Sequence, residues 1–466
     1  MKRIKLVLVL TIVFALNLSG AIQKPNLIVI MADQWRSQAT GYAGDVNAKT
    51  PNLDTLCSQS VWFVNAVSAV PVCCPARATF MTGQRPLTHG VFMNDVPLSP
   101  KAVTIAKVLK NEGYDTAYIG KWHIDGHGRS SFIPKKRRQG FDYWKALECT
   151  HNYSNSFYYA DTPKKLKWDG YDAFAQTRDA IQYLKNRKDE NKPFFLMLSF
   201  GPPHSPYHVV PSEYKSLFDP SKLLLRPNIP SDCKNQAKNM LWGYYAHCAA
   251  LDKCVGDIMQ TIDELGISTN TILVFLSDHG DMLGSQGLYR KQKPYEESIR
   301  IPLLIRYPAL LKSKKADALI NFEDIMPTLL GLCNVKIPKT VEGADFSDYL
   351  KGGENPNDGS TLISCVAPFG EWSRKTGGKE YRGIRTERYT YVRDLKGPWL
   401  LFDNQKDPFQ LTNLVNKLEY KDIQDELDKT LSRKLNITKD EFKPADYYIK
   451  KWGYKVDATG TVPFAP

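Results

Sequence analysis

The sequence predicts an α/β fold: a large, mostly parallel sheet flanked by helices, followed by a smaller C-terminal α+β unit built on an antiparallel sheet. Three observations carry this expectation. Five short runs are apolar almost throughout: NLIVIMA (26–32), DTAYIG (115–120), PFFLMLSF (193–200), NTILVFLS (270–277) and IPLLIRY (301–307). Such runs suit strands buried on both faces. Helical stretches lie between them, and that alternation suits parallel strands joined by crossover helices. Past residue 360 the pattern changes to YRGIRTERYTYVRD and PWLLFDNQKDP, which alternate as antiparallel strands do.

The N-terminus reads as a signal peptide over residues 1–21. Lys2, Arg3 and Lys5 precede the apolar run LVLVLTIVFAL, and Ser19-Gly20-Ala21 is a small-residue cleavage site. The mature chain is then expected to start near Ile22 and to be exported, periplasmic or secreted. That run is short for a membrane span, and no other stretch approaches the roughly 20 apolar residues a span needs, so no stable membrane insertion is expected. SPKAVTIAKVLKNEG (99–113) reads as a helix entered at Ser99-Pro100 and ended by Gly113, with Ile105, Val108 and Leu109 as its apolar stripe. GYDAFAQTRDAIQYLKNRK (170–188) and MLWGYYAHCAALDKCVGDIMQTIDELG (240–266) follow as helices. KGGENPNDGS (351–360) is the clearest break. It divides a unit over 22–350 from a smaller one over 361–466, in which Ile423, Leu427, Leu431 and Leu435 recur four apart as on a helix.

The formal charge of +13 favours an anionic partner. With an exported chain and no helix-turn-helix or RNA-binding signature, nucleic acid is excluded; a polyanionic carbohydrate or a small acidic ester fits. There are nine cysteines, an odd number. Cys73 and Cys74 cannot simply bridge each other, because adjacent Cα atoms lie only about 3.8 Å apart and bridged ones roughly 4.4–6.8 Å. Conversion of Cys73 to something else would leave eight cysteines, a number able to pair.

The strand ends carry the chemistry. NLIVIMA runs into Asp33-Gln34, DTAYIG into Lys121-Trp122-His123, PFFLMLSF into Gly-Pro-Pro-His204, and NTILVFLS into Asp278-His279. Open α/β sheets bind ligands at the carboxyl edge of their strands, so these distant residues are expected to share a site. Two carboxylates and a neutral oxygen from Gln34 suit a hard divalent cation, with His279 beside it. Singly, each has a plainer reading: an Asp after a strand as a helix cap, Lys121 and His123 as surface residues, His204 as part of a proline-rich turn.

Together the residues resemble a family. Cys73-Cys74-Pro75-Ala76-Arg77, with Thr82-Gly83, is similar to C-x-P-[SA]-R-x-x-x-x-T-G, the signature of the formylglycine-dependent (type I) sulfatases of the alkaline phosphatase superfamily. GKWH (120–123), SFGPPHSPY (199–207) and SDHGDMLGSQGLYRKQKPYEESIRIPLLI (277–305) resemble further motifs of that family in the same order. The resemblance runs over roughly residues 25–310. It implies an alkaline-phosphatase-like fold and hydrolysis of sulfate esters. It also implies that Cys73 is oxidised to Cα-formylglycine by a formylglycine-generating or anaerobic maturation enzyme, while Cys74 occupies the variable next position. An aldehyde hydrate offers one hydroxyl to attack sulfur and a second whose collapse expels sulfate, dividing one hard step into two.

The same resemblance implies ligand roles for Asp33, Gln34, Cys73, Asp278 and His279 toward Ca²⁺, with Mg²⁺ or Mn²⁺ also admissible. Gln34 departs from the family, which more often has a second Asp there. Arg77 would hold the formylglycine, and Lys121 and Lys291 would grip the sulfate, Lys291 fitting better than Lys293. His204, alone or with Lys291, would protonate the departing sugar oxygen. His123 would take the hemiacetal proton, and Asn94 either contacts sulfate or is a turn residue. His89 is expected to be structural, and His127, His151, His208 and His247 carry no expected role.

Residues 121–145 and 152–168 are basic and aromatic together, which suits a sulfated or uronate-bearing sugar as well as a solvated basic face. Asp125, Arg129, Trp144 and Trp168 are the substrate-binding candidates there. Two other readings stand beside a carbohydrate sulfatase: a phosphonate or phosphodiester hydrolase on the same site, and a catalytically silent carbohydrate-binding homologue.

Overall fold

The structure, a computed structural model, describes residues 24–187, 190 and 192–463. The expected signal peptide, residues 1–21, lies outside the described residues. Eight strands form the large sheet. Across it they run Lys314–Asn321, Val61–Val67, Leu303–Arg306, Thr271–Ser277, Asn26–Asp33, Phe194–Pro203, Asp115–Lys121 and Tyr143–Leu147. All neighbours pair parallel except Leu303–Arg306, which is antiparallel to both of its neighbours.

The central strands are apolar on both faces because each face meets its own core. Along Asn26–Asp33, Leu27, Val29 and Met31 enter one cluster, while Ile28, Ile30 and Ala32 enter the other, the period-two alternation of a strand covered on both sides. Three strands escape a search for continuous apolar runs. Val61–Val67, Tyr143–Leu147 and Lys314–Asn321 lie at or near the sheet edges, where half-exposed positions interrupt the pattern.

The helix expected from Ser99 begins only at Ile105 and runs to Asn111. The residue that starts it is Thr104, whose hydroxyl accepts from Lys107 N at 3.4 Å; Ser99–Lys101 instead form a turn. The long helix begins earlier than its apolar stripe suggests, spanning Lys234–Glu264, and it packs against Asp172–Lys185.

After residues 351–359 the chain builds a four-stranded antiparallel sheet of Ser360–Cys365, Tyr381–Thr386, Tyr389–Asp394 and Gly397–Asp403, in sequence order. The Lys421–Ile437 helix lays Leu427 and Leu431 against one face, on Ile384, Tyr391 and Leu401. The other face packs Ile363, Val392 and Phe402 with Val67, Ile299 and Leu319 of the large unit. Ala445–Trp452 then returns to the large unit, with Tyr448 against Phe92. All nine cysteines are free, so the pairing open to eight of them is not realised. Among the described residues no helix is long and apolar enough to cross a membrane.

Candidate active site

Cys73 is the first residue of the buried helix Cys73–Thr82, entered from extended Val72. Arg77 follows one turn later on the same face, as residues four apart do. The adjacent parallel strands Asn26–Asp33 and Thr271–Ser277 end side by side, which brings Asp33 next to Asp278. The ligand atoms of Asp33, Cys73, Asp278 and His279 all lie within 4.8 Å of one another, and all four residues are buried. Cys73 Sγ is 3.6 Å from Asp33 Oδ1 and 3.2 Å from His279 Nε2.

Three cations surround this cluster. Arg77 bridges the two carboxylates, with Nε on Asp278 Oδ2 at 3.0 Å and Nη2 on Asp33 Oδ2 at 2.9 Å. Its Nη1 donates to Ser199 Oγ and the Lys121 carbonyl, so the guanidinium is a clamp with its donors engaged. Lys121 Nζ lies 2.7 Å from Asp33 Oδ2 and 3.9 Å from Cys73 Sγ. Lys291 Nζ lies 3.1 Å from Cys73 Sγ and 2.9 Å from His204 Nε2.

The charges act on one another. Burial and the Asp33 charge push the Cys73 thiol up, yet Lys121, Lys291 and His279 together hold it well below the usual thiol range. Burial likewise opposes ionisation of Asp33, but Lys121, His204, Arg77 and Lys291 hold it well below the usual carboxylate range. Asp278 goes the other way: burial and the Asp33 charge raise it to about 6. Burial and the Lys291 ammonium keep His204 well below the ordinary imidazole value, hence neutral.

The donor set fits a hard cation. His279 Nδ1 faces the Gly280 carbonyl at 2.9 Å. A carbonyl only accepts, so Nδ1 carries a proton and Nε2 is the nitrogen turned toward the carboxylates, the one a cation would take. Gln34 Nε2 donates to Asp281 Oδ2 at 2.6 Å, which leaves Gln34 Oε1 buried without a hydrogen-bond partner. A buried oxygen without a partner, on the residue that follows Asp33, is available as a fifth donor.

The motif GKWH has its own steric logic. Gly120 has a φ of 109°, and a Cβ there would meet the Ser199 carbonyl oxygen at 2.0 Å, so only glycine lets the strand deliver Lys121. His123 follows at a φ of 62°. Its ring lies 3.5 Å from Asp95 Oδ1, and both nitrogens are buried without a hydrogen-bond partner. Burial opposes its charge, but the Cys149 and Cys74 thiols and Asp95 raise it well above the ordinary value.

Two of the substrate-binding candidates, Trp144 and Trp168, are buried in the cores. Trp144 is a core residue, stacked on Tyr118 and edge-on to Trp122. Trp168 has one face covered by Tyr158 at 3.9 Å and belongs to the second core. Both rings turn inward because the sheet edge needs apolar cover, a demand that outweighs their basic sequence neighbours. Asp125 holds Arg137 through both oxygens, at 2.8 and 3.0 Å. Arg129 grips Asp95 the same way, at 2.9 and 2.7 Å. Asn94 turns its oxygen to Cys74 N at 3.1 Å, in the first turn of the cysteine helix. His89 is held between Thr79 Oγ1 and Val91 N, and Lys293 points to the Tyr289 carbonyl, away from Cys73.

Sequence reasoning missed three neighbours of the site. Asp281, three residues after Asp278 in SDHGD, orients Gln34, and its spacing was a usable signal. His151 stacks parallel on His204, with centroids 4.9 Å apart. Tyr153 hydroxyl donates to the His204 and Ser205 carbonyls and pins the loop carrying His151. Neither His151 nor Tyr153 has a local pattern that announces it.

The sulfatase family model matches residues 25–335. The chain belongs to the sulfatase family. A second family model, the C-terminal part of N-sulphoglucosamine sulphohydrolase, matches residues 284–437. This sulfatase is 46% identical over 439 residues to an ulvan-active sulfatase of Formosa agariphila, covering 92% of this chain and 85% of that protein. It is 31% identical over 461 residues to an endo-4-O-sulfatase of Bacteroides thetaiotaomicron, covering 84% and 88%. A solved structure from the metabolism of multiple glycosaminoglycans by Bacteroides thetaiotaomicron superposes with a TM-score of 0.83 at 30% identity, covering 92% and 98%. The fold is alkaline-phosphatase-like and the enzyme is a sulfuric ester hydrolase.

Proposed function

We propose that this sulfatase is exported and removes sulfate ester groups from a sulfated glycan. In this reading Cys73 is matured to Cα-formylglycine by a dedicated enzyme, and Asp33, Gln34, residue 73, Asp278 and His279 hold a divalent cation, Ca²⁺ by family habit. The observation that carries the reading is the convergence on Cys73 of two carboxylates, an imidazole and the Lys121 and Lys291 ammonium groups. The names of the relatives, active on ulvan or on 4-O-sulfate, and the basic chain favour an acidic polysaccharide. The catalytic unit is then residues 22–350 and the smaller unit 361–466.

Once present, the cation would gather sulfate oxygens and the formylglycine would supply a hydrated aldehyde as nucleophile. The chain's own residues do the rest. Lys121 and Lys291 place positive charge where negative charge develops as the S–O bond breaks. Arg77 fixes Asp33 and Asp278 in one orientation. His204 Nδ1 faces the Ser205 carbonyl at 2.7 Å, so Nε2 accepts from Lys291. A neutral His204 cannot donate from Nε2, which makes the Lys291 ammonium the proton donor to the leaving oxygen and His204 its positioning partner.

Mass spectrometry of the peptide containing residue 73, from a host with a maturation enzyme, tests the nucleophile. Conversion makes the residue about 18 Da lighter than cysteine, and Cys73→Ala should abolish turnover of an aryl sulfate. An active protein with an intact thiol overturns the reading, as does faster turnover of a phosphonate monoester than of the matching sulfate.

A further inference from the structure

Several cations near the site are paired with carboxylates. Arg77 and Lys121 are paired with Asp33, Arg129 with Asp95, and Arg137 with Asp125. Arg290, immediately before Lys291, instead donates Nη1 to Ser205 Oγ at 2.6 Å. Among the described residues no carboxylate lies within 4 Å of its guanidinium, and the acidic residue whose field it shares is Glu371, which is exposed. Arg290 itself is half-buried.

A second group meets the same turn from another segment. His151 is exposed and stacks on His204, with an interplanar angle of 1°. Its loop is tied down at both ends: Cys149 N donates to the Arg129 carbonyl, and Tyr153 is fully buried with its hydroxyl on the His204 and Ser205 carbonyls. Arg290 bonds Ser205 and His151 stacks on His204, the turn beside the Lys291 ammonium, and neither makes a hydrogen bond to Cys73. A group attached to the departing alcohol, rather than the transferred sulfate, would therefore meet them.

We infer that Arg290 and His151 form a subsite for a second oxyanion on the leaving sugar, a carboxylate or a further sulfate. The inference deepens the glycan reading, and the chemistry follows from the donors. An arginine fork with free N–H groups and an imidazole edge recognise planar or tetrahedral oxyanions. A neutral hydroxyl would leave the guanidinium charge unmatched. The effect is on discrimination between leaving groups, because neither residue reaches the reacting sulfur.

The test uses matured full-length enzyme and three aryl sulfates: 4-nitrophenyl sulfate and its ring-carboxylated and ring-sulfonated counterparts, substituted at one common position. For wild type the ratio of kcat/KM, anionic over neutral ester, should exceed one by about three- to tenfold, the range of a partly exposed ion pair. Arg290→Gln should bring that ratio to near one, His151→Ala should lower it partway, and Arg290→Lys should retain most of it. A larger ratio for the carboxylate arm assigns a uronate, and a larger one for the sulfonate arm a second sulfate. A wild-type ratio of one, or variants that slow the neutral and anionic esters equally, overturns the subsite. The glycan reading is decided separately. Preference for anionic aryl esters without turnover of any sulfated oligosaccharide removes that reading and keeps the subsite; oligosaccharide turnover with a ratio of one does the reverse.

Discussion

Gln34 follows Asp33, with its backbone N–H on Asp278 Oδ1 at 3.0 Å, and its proposed service as a ligand depends on the acidic residue that holds its amide. Asp281 accepts from Gln34 Nε2 and thereby orients the amide oxygen. Asp281→Ala should lower Ca²⁺ affinity about tenfold, the effect typical of losing a group that orients a ligand. Calorimetric titration of chelator-treated protein measures it, and an unchanged dissociation constant removes Gln34 from the ligand set. Lys291 makes a second case. Lys291→Met should reduce kcat by about 10²–10⁴, and the loss should grow as the leaving phenol becomes more basic; a loss independent of the leaving group assigns Lys291 to sulfate binding alone. The juxtaposed residues Asp33, Cys73, Asp278 and His279 were legible because strand ends and one helix start announce themselves by pattern. Trp144 and Trp168 misled because composition says nothing about which way a ring points. His151 was illegible because its partner, His204, is 53 residues away and the connection is a stack across two loops.

At the level of elements, the five apolar runs were readable as strands since burial on both faces leaves no polar positions to disguise them. The edge strands and the true start of the Ile105–Asn111 helix depended on tertiary cover and on one hydroxyl cap. The turn after His123 shows how such a cover works. Glu148, next to the Tyr143–Leu147 strand, accepts the Asp125 and Gly126 N–H groups on Oε1, both at 2.8 Å. Burial, with the Asp125 charge, raises Glu148 to about 7, against the downward pull of His123 and of those N–H groups; Cys74 and Tyr118 also lie in its field. Its folded value is above its unfolded one, so the folded state binds the extra proton. The associated stability is complete below about 4.3 and is lost as pH rises through 7. Glu148→Gln keeps the acceptor oxygen and removes the titration. The melting temperature of the variant relative to wild type should therefore rise between pH 5 and pH 8. A difference that stays flat across that interval contradicts the assignment.

Across the whole molecule, the segment that carries Lys291 is held from both sides. Gln292 exchanges hydrogen bonds with the backbone of Phe369, Nε2 to its carbonyl at 3.0 Å and Oε1 from its N–H at 3.3 Å. Four residues on, Glu296 takes a two-point bond from Arg385 of the small sheet, at 2.8 and 3.2 Å, and its N–H reaches Gln410 Oε1. The Asn228 and Gln286 amides both meet the Phe409 carbonyl. These bonds join the small sheet to the loop whose lysine touches Cys73 and His204, so the site and the C-terminal unit should lose structure together. Removing Arg385 leaves Glu296 with Arg300, 3.7 Å away, as its remaining cationic partner, so the cost falls below the about 3–5 kcal/mol of a wholly unmatched buried charge. Arg385→Met should accordingly lower the temperature at which aryl sulfate turnover is lost, and tryptophan fluorescence from Trp372 and Trp399 should change at that same lowered temperature. Wild type should show one calorimetric transition. If the small sheet melts first while turnover survives, its bonds to the Lys291 segment are not what holds that segment in place.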